Sequence, residues 1–160
     1  MTIREKLEQF DLFDQAITRH GIMEYIRDYE VMGYLCGAES DIEVQFIFKG
    51  CLKSEYKLEV DPKGFSMDER LLDLERQDEI DYPQGFVWGV KHAVVYPGWT
   101  LKEETQELKH LEDEYNIKLY EIYFDTNTYD LTLIFHDLEI RTVNKITRSK
   151  HRGDTQQPNT

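Results

Sequence analysis

Residues 117–135 read Ile117-Lys118-Leu119-Tyr120-Glu121-Ile122-Tyr123-Phe124-Asp125-Thr126-Asn127-Thr128-Tyr129-Asp130-Leu131-Thr132-Leu133-Ile134-Phe135. Ile117, Leu119, Glu121 and Tyr123 alternate with Lys118, Tyr120, Ile122 and Phe124, the period-two pattern of a strand whose faces differ in burial. Asp125-Thr126-Asn127-Thr128 supplies turn chemistry, and Tyr129 to Phe135 returns. Leu138, Ile140 and Val143 follow an acidic break, so the segment predicts three consecutive antiparallel strands in a meander.

Upstream, Thr100 with Glu103 has the spacing of a capping box, and Leu101, Leu108, Leu111 and Tyr115 predict one face of a helix ending near Tyr115. Tyr96-Pro97-Gly98-Trp99 is expected to turn, after a strand over Phe86 to Val95. Residues 66–81 hold seven acids and two arginines around Leu71, Leu72, Leu74 and Ile80, and Ser66 with Glu69 caps a short expected helix. Asp61-Pro62-Lys63-Gly64 and Tyr82-Pro83-Gln84-Gly85 are turns. Ile42, Val44, Phe46 and Phe48 predict a strand, with Tyr56, Leu58 and Val60 returning beside it after Gly50. Another strand is expected over Asp28 to Leu35. At the start, Thr2 and Glu5 form a capping box, and Ile3, Leu7, Phe10 and Phe13 predict a helix to about Thr18, stopped at His20-Gly21.

Strand groups interrupted by helices, without regular βαβ alternation, mean α+β. The expected fold is a mostly antiparallel sheet with two or three helices packed on it as a single pair of layers. One domain over residues 1–145 is expected, followed by a disordered basic and polar tail over 146–160.

Charge bounds the function. Of the 32 acids and 19 Lys/Arg in the 160 residues, 31 and 14 lie in residues 1–140, a net −17, whereas the last twenty reverse to five basic residues and one acid. Acid in such excess repels phosphate backbones, so nucleic acid is not an expected partner. Twenty aromatic residues (10 Tyr, 8 Phe and 2 Trp) are too many for a disordered acidic chain. The opening MTIREKLEQF lacks a signal-peptide pattern, and no run approaches the about 20 apolar residues that span a bilayer. With only Cys36 and Cys51, reduced thiols and a cytoplasmic location are expected, with no membrane partner; a Cys36–Cys51 disulfide is the alternative.

No phosphate loop, dinucleotide fingerprint, metalloprotease helix, CxxC pair or nucleophile elbow occurs, so no cofactor is expected. His110 with Glu114 offers two metal ligands on a helix face, against the reading of a solvated His beside a carboxylate; no metal is expected. His136, Asp137 and Glu139 suit a general base with carboxylates in a small hydrolase or metal-dependent enzyme, against an edge residue holding a loop. Cys36 and Cys51 read as small core residues. The acidic segments lack the spacing of a calcium loop. Trp88 and Trp99 with Tyr82 and Tyr96 offer either an aromatic partner patch or core packing.

Two stretches carry a resemblance. His20-Gly21-Ile22-Met23-Glu24-Tyr25-Ile26-Arg27-Asp28-Tyr29-Glu30 and Leu131-Thr132-Leu133-Ile134-Phe135-His136-Asp137-Leu138-Glu139-Ile140 resemble the YxiG-like proteins of Gram-positive bacteria. Such proteins tend to be encoded near polymorphic secreted toxins, so the resemblance implies an immunity role; it assigns no site residues. The expected function is therefore a cytosolic acidic binding protein, not an enzyme, that occludes the active site of a basic toxin domain. Its expected contacts are Asp68, Glu69, Asp73, Glu75, Asp78, Glu79, Asp81 and Tyr82, with Glu104 and Glu107 of the 101–115 helix.

Overall fold

A computed structural model describes residues 1–23, 27–37, 40–58, 93–126 and 129–147. Within them run helix α1 (Ile3–Glu8) and strands β1 (Ala16–Ile22), β2 (Tyr29–Leu35), β3 (Ser40–Lys49), β4 (Lys53–Leu58) and β5 (Ala93–Lys102). Helix α2 (Gln106–Tyr115) and strands β6 (Tyr120–Thr126), β7 (Tyr129–Phe135) and β8 (Asp137–Thr147) complete them. The strands form one antiparallel sheet in the order β4-β7-β6-β5-β1-β2-β3-β8. The α+β expectation therefore holds only coarsely: antiparallel sheet dominates, and the described residues hold two helices, one of them short. The helix expected over 66–81 and the flanking turns lie outside the described residues.

One long ribbon organises the sheet. Residues 40–49 pair with 137–147, and residues 53–58 pair with 129–134. The two ladders are joined by His136 N–H donating to the Lys49 carbonyl (2.9 Å) and Leu52 N–H to the Ile134 carbonyl (2.8 Å). Between the Lys49↔Asp137 and Lys53↔Ile134 pairs, residues 50–52 oppose only 135 and 136, which makes this corner a β-bulge. Gly50 takes the left-handed turn there, at φ 58°. Local sequence order misleads here. β4 does not return beside β3, and β8 leaves β7 to pair with β3, so the predicted three-strand meander keeps only its β6–β7 hairpin.

The bend folds the sheet over one core. Phe48 of β3 meets Phe135 of β7 edge-on, at 4.8 Å between ring centroids, and Phe124 of β6 at 6.0 Å. Val44, Phe46, Leu131, Leu133 and Leu138 are buried in the same cluster. Each buried aliphatic or aromatic side chain contributes about 1.5–3 kcal/mol, which anchors the two halves to each other. The expected layering of helices on a sheet is thus largely replaced by sheet on sheet. α1 adds Ile3 and Leu7 to the core, while α2 lays Leu108 and Leu111 on the outer face of β7 over Leu119 and Ile134.

Both helices differ from their predicted bounds for local reasons. The Thr2–Glu5 capping box forms as expected. Yet α1 stops at Glu8, because the Asp11 carboxylate accepts the Phe13 N–H (3.0 Å) and offers the backbone a turn in place of another helical bond. Residues 16–22 are strand. Thr100, expected to cap a helix, lies in β5 opposite Tyr123; the cap of α2 is Thr105, whose hydroxyl accepts the Leu108 N–H at 3.1 Å. Asn116 closes that helix in the left-handed conformation. The expected turn at 96–99 is a bulge inside β5, where residues 96–98 oppose Asp125 alone.

Candidate functional site

Three surface regions bear on function, and the acidic one comes first. Asp68, Glu69, Asp73, Glu75, Asp78, Glu79, Asp81 and Tyr82 lie outside the described residues. Glu104 and Glu107 flank the N-terminus of α2, where carboxylates complement the helix dipole. Glu107 is engaged by Lys53 at 3.0 Å, an exposed ion pair. Glu104, Asp113 and Glu114 are exposed and make no ion pair with a described residue. Glu112 has a structural role: it accepts the Leu119 N–H at 2.9 Å and pairs with Lys118, and these contacts hold its carboxyl below the usual range. His110 is exposed, and among the described residues no three His, Cys, Asp or Glu side chains converge as metal ligands.

The second region lies where β8 begins. A cavity of about 370 Å³ is lined by Met1, Lys6, Gln9, Lys49, Asp137, Leu138, Glu139 and Ile140. Alternation along β8 turns Leu138 into the core and Asp137 and Glu139 outward together. His136 does not join them. Its Nδ1 is bound to the Lys118 carbonyl at 2.8 Å, and it is absent from the cavity wall. Lys6 holds Asp137 at 3.1 Å, and Lys49 and Arg141 hold Glu139. Burial pushes the Asp137 carboxyl up, but the Leu138 N–H and the Lys6 ammonium outweigh it and leave its pKa lowered. Lys49, then Arg141, likewise lower that of Glu139. Both carboxylates are thus held as anions by neighbouring cations.

The third region was not read from sequence. His20, taken as a helix stop, lies on the inner face of β1, where its ring meets those of Tyr29 (6.0 Å), Tyr56 (5.4 Å) and Tyr129 (5.0 Å). Its Nδ1 sits 2.6 Å from the Tyr29 hydroxyl. Burial lowers the His20 pKa and pushes Tyr29 up to about 12 and Tyr129 further still, because it disfavours the charged form of each. Only a strand reading of 16–22 would have shown His20 opposite Val31.

The cysteines also need correction. Both are free, but Cys36 is exposed and Cys51 half-buried, its thiol pushed up to about 11 by burial. Of the expected aromatic patch, Tyr96 is 58% exposed, whereas Trp99 packs on the core; Tyr82 and Trp88 lie outside the described residues.

Among the described residues, then, this is an acidic, predominantly antiparallel β protein whose distinguishing property is surface charge. The chain belongs to the YxiG-like protein family, whose model matches residues 1–150. A comparison with curated proteins gives no match. No helix among the described residues is long and apolar enough to cross a membrane.

Proposed function

We propose that the protein is a cytosolic binding protein of the immunity type that neutralises a basic toxin domain, such as a nuclease, by covering its active cleft. The observation that carries the reading is the charge: 31 acids against 14 basic residues in residues 1–140. A field of that sign accelerates encounter with a cationic surface, and carboxylates can occupy positions meant for phosphate. Glu104, Asp113 and Glu114 support it, being exposed carboxylates near α2 that no described cation neutralises. The acids of 68–81 are proposed to extend that face. The competing hydrolase reading is less favoured, since the His136 Nδ1 is taken by the Lys118 carbonyl, His136 does not line the cavity with Asp137 and Glu139, and each carboxylate balances a lysine. The test is stoichiometric inhibition. Adding the purified protein to the basic toxin domain it is proposed to neutralise should abolish that toxin's activity at about one-to-one; undiminished activity at excess would refute the proposal.

A further inference from the structure

An exposed aromatic pair stands on the seam between the two halves of the sheet. Phe13 and Tyr96 are 51% and 58% exposed, yet their rings touch, with centroids 5.6 Å apart and planes tilted by 48°. They come from distant parts of the chain, one from the segment before β1 and one from β5.

The backbone under both is fixed. Asp14 N–H donates to the Val95 carbonyl at 2.8 Å, and Val95 N–H donates to the Gln15 carbonyl at 2.9 Å. The Phe13 N–H is held by the Asp11 carboxylate, and Gln15 N–H by the Leu12 carbonyl at 3.1 Å. Leu12 and Val95, next to the two aromatics in sequence, are buried at 5% and 1% exposure. Asp14 adopts a left-handed φ of 59°, which turns the chain between Phe13 and β1. On the other side, Tyr96 opens the bulge of β5, and Trp99 closes it by packing on the core. Two large apolar rings are thus held in water by an ordered scaffold that buries their neighbours and not them. Aromatic side chains so presented lose little conformational freedom on contact, which is what makes such residues binding anchors.

The surroundings select the partner. Asp11 and Asp14 are both exposed beside Phe13, on a domain of net −17 over residues 1–140. We propose that Phe13 and Tyr96 are the anchor of a protein-docking surface, and that its occupant is a basic protein offering apolar side chains between lysines or arginines. Asp11 and Asp14 form the charged rim, and arginine guanidinium groups can stack on the rings as well as pair with the carboxylates. The inference rests on the basic-partner reading above and adds where the contact energy lies: the acids steer the encounter, and the aromatic pair holds the complex.

The experiment measures association and dissociation rates against the basic toxin domain of the proposed function, at low and high salt. Four forms are compared: wild type, Phe13→Ala with Tyr96→Ala, Asp11→Asn with Asp14→Asn, and Phe13→Leu. Asparagine retains an acceptor at 11 and tolerates the left-handed turn at 14, so the second double variant keeps the local backbone. Melting curves matched to wild type establish that the variants fold. The aromatic double variant should dissociate about 30-fold faster or more, the loss expected of an interface anchor, with its association rate and salt slope little changed. The Asp double variant should instead associate several-fold more slowly, with a flatter salt slope, and Phe13→Leu should fall between wild type and the double alanine. A dissociation rate unchanged by loss of both rings would overturn the anchor while leaving the immunity reading intact. A wild-type dimer that becomes monomeric in the aromatic double variant would overturn it in favour of a second copy as occupant. Failure of wild type to bind would refute the immunity reading and this inference with it.

Discussion

Replacing Gly50 by alanine tests the corner on which the fold turns. Its φ of 58° lies in the left-handed region, and a Cβ built there would stand 3.3 Å from the His136 Cβ across the bulge. An L-residue pays about 1–2 kcal/mol for that conformation. The contact with His136 is tighter than ordinary van der Waals packing, so the facing backbone must yield by a few tenths of an ångström. Against this, alanine restricts the unfolded chain and regains about 0.4–1 kcal/mol. The net expectation is a loss on the order of 1 kcal/mol, or about 2–4 °C in Tm for a domain of this size. Gly50→Asn should lose less, because asparagine enters the left-handed region more readily. Gly50→Val should lose more, its branched side chain being both strained and crowded. Urea unfolding followed by tryptophan fluorescence gives the differences directly. In an ordinary extended strand the sign reverses, since glycine there is worse than alanine by about 0.5–1 kcal/mol. A Gly50→Ala protein as stable as wild type, or more so, would refute the corner.

Two further outcomes follow from the core and the His20 cluster. Phe48→Ala removes the ring that touches both Phe124 and Phe135 across the fold, and should cost about 3–5 kcal/mol, measured by urea unfolding; a loss below about 1 kcal/mol would mean the two halves are not packed through it. Burial lowers the folded His20 pKa below its ordinary value of about 6.5, so the unfolded chain binds the proton more readily. Stability is therefore fully present above that value and falls as pH drops through it, and His20→Gln should show a smaller loss between pH 7.5 and pH 5 than wild type. Equal losses would remove His20 from the pH dependence.

The parts of the fold legible in the sequence are those where a local pattern and its burial coincide. Val44, Phe46 and Phe48 alternate inward in β3, and Leu131 and Leu133 do so in β7, so both strands could be read directly. Phe10 and Phe13 continue the helical spacing of Ile3 and Leu7, but Phe10 packs edge-on against Phe46 and Phe13 stays exposed. The spacing was right and the helix was not, because the hydrogen bond accepted by Asp11 is invisible to periodicity. Thr100 and Thr105 illustrate the same limit: the first has the better capping sequence, but pairing with Tyr123 in the sheet outweighs it. Strand partners were the least legible feature. β4 and β8 each look like the return of the preceding strand, and a one-residue bulge at Gly50 sends them elsewhere. The site suffered similarly. Acidity could be counted, whereas the His20 cluster and the Phe13–Tyr96 pair join residues from segments whose adjacency no local pattern records.

The central claim is that the acidity exists for a basic partner, and the salt dependence of wild-type association tests it most directly. Rates measured against the basic toxin domain it is proposed to neutralise should fall at least about tenfold between 50 and 500 mM salt, as screening shortens the reach of the protein's field. An association rate that holds constant over that range would contradict the claim.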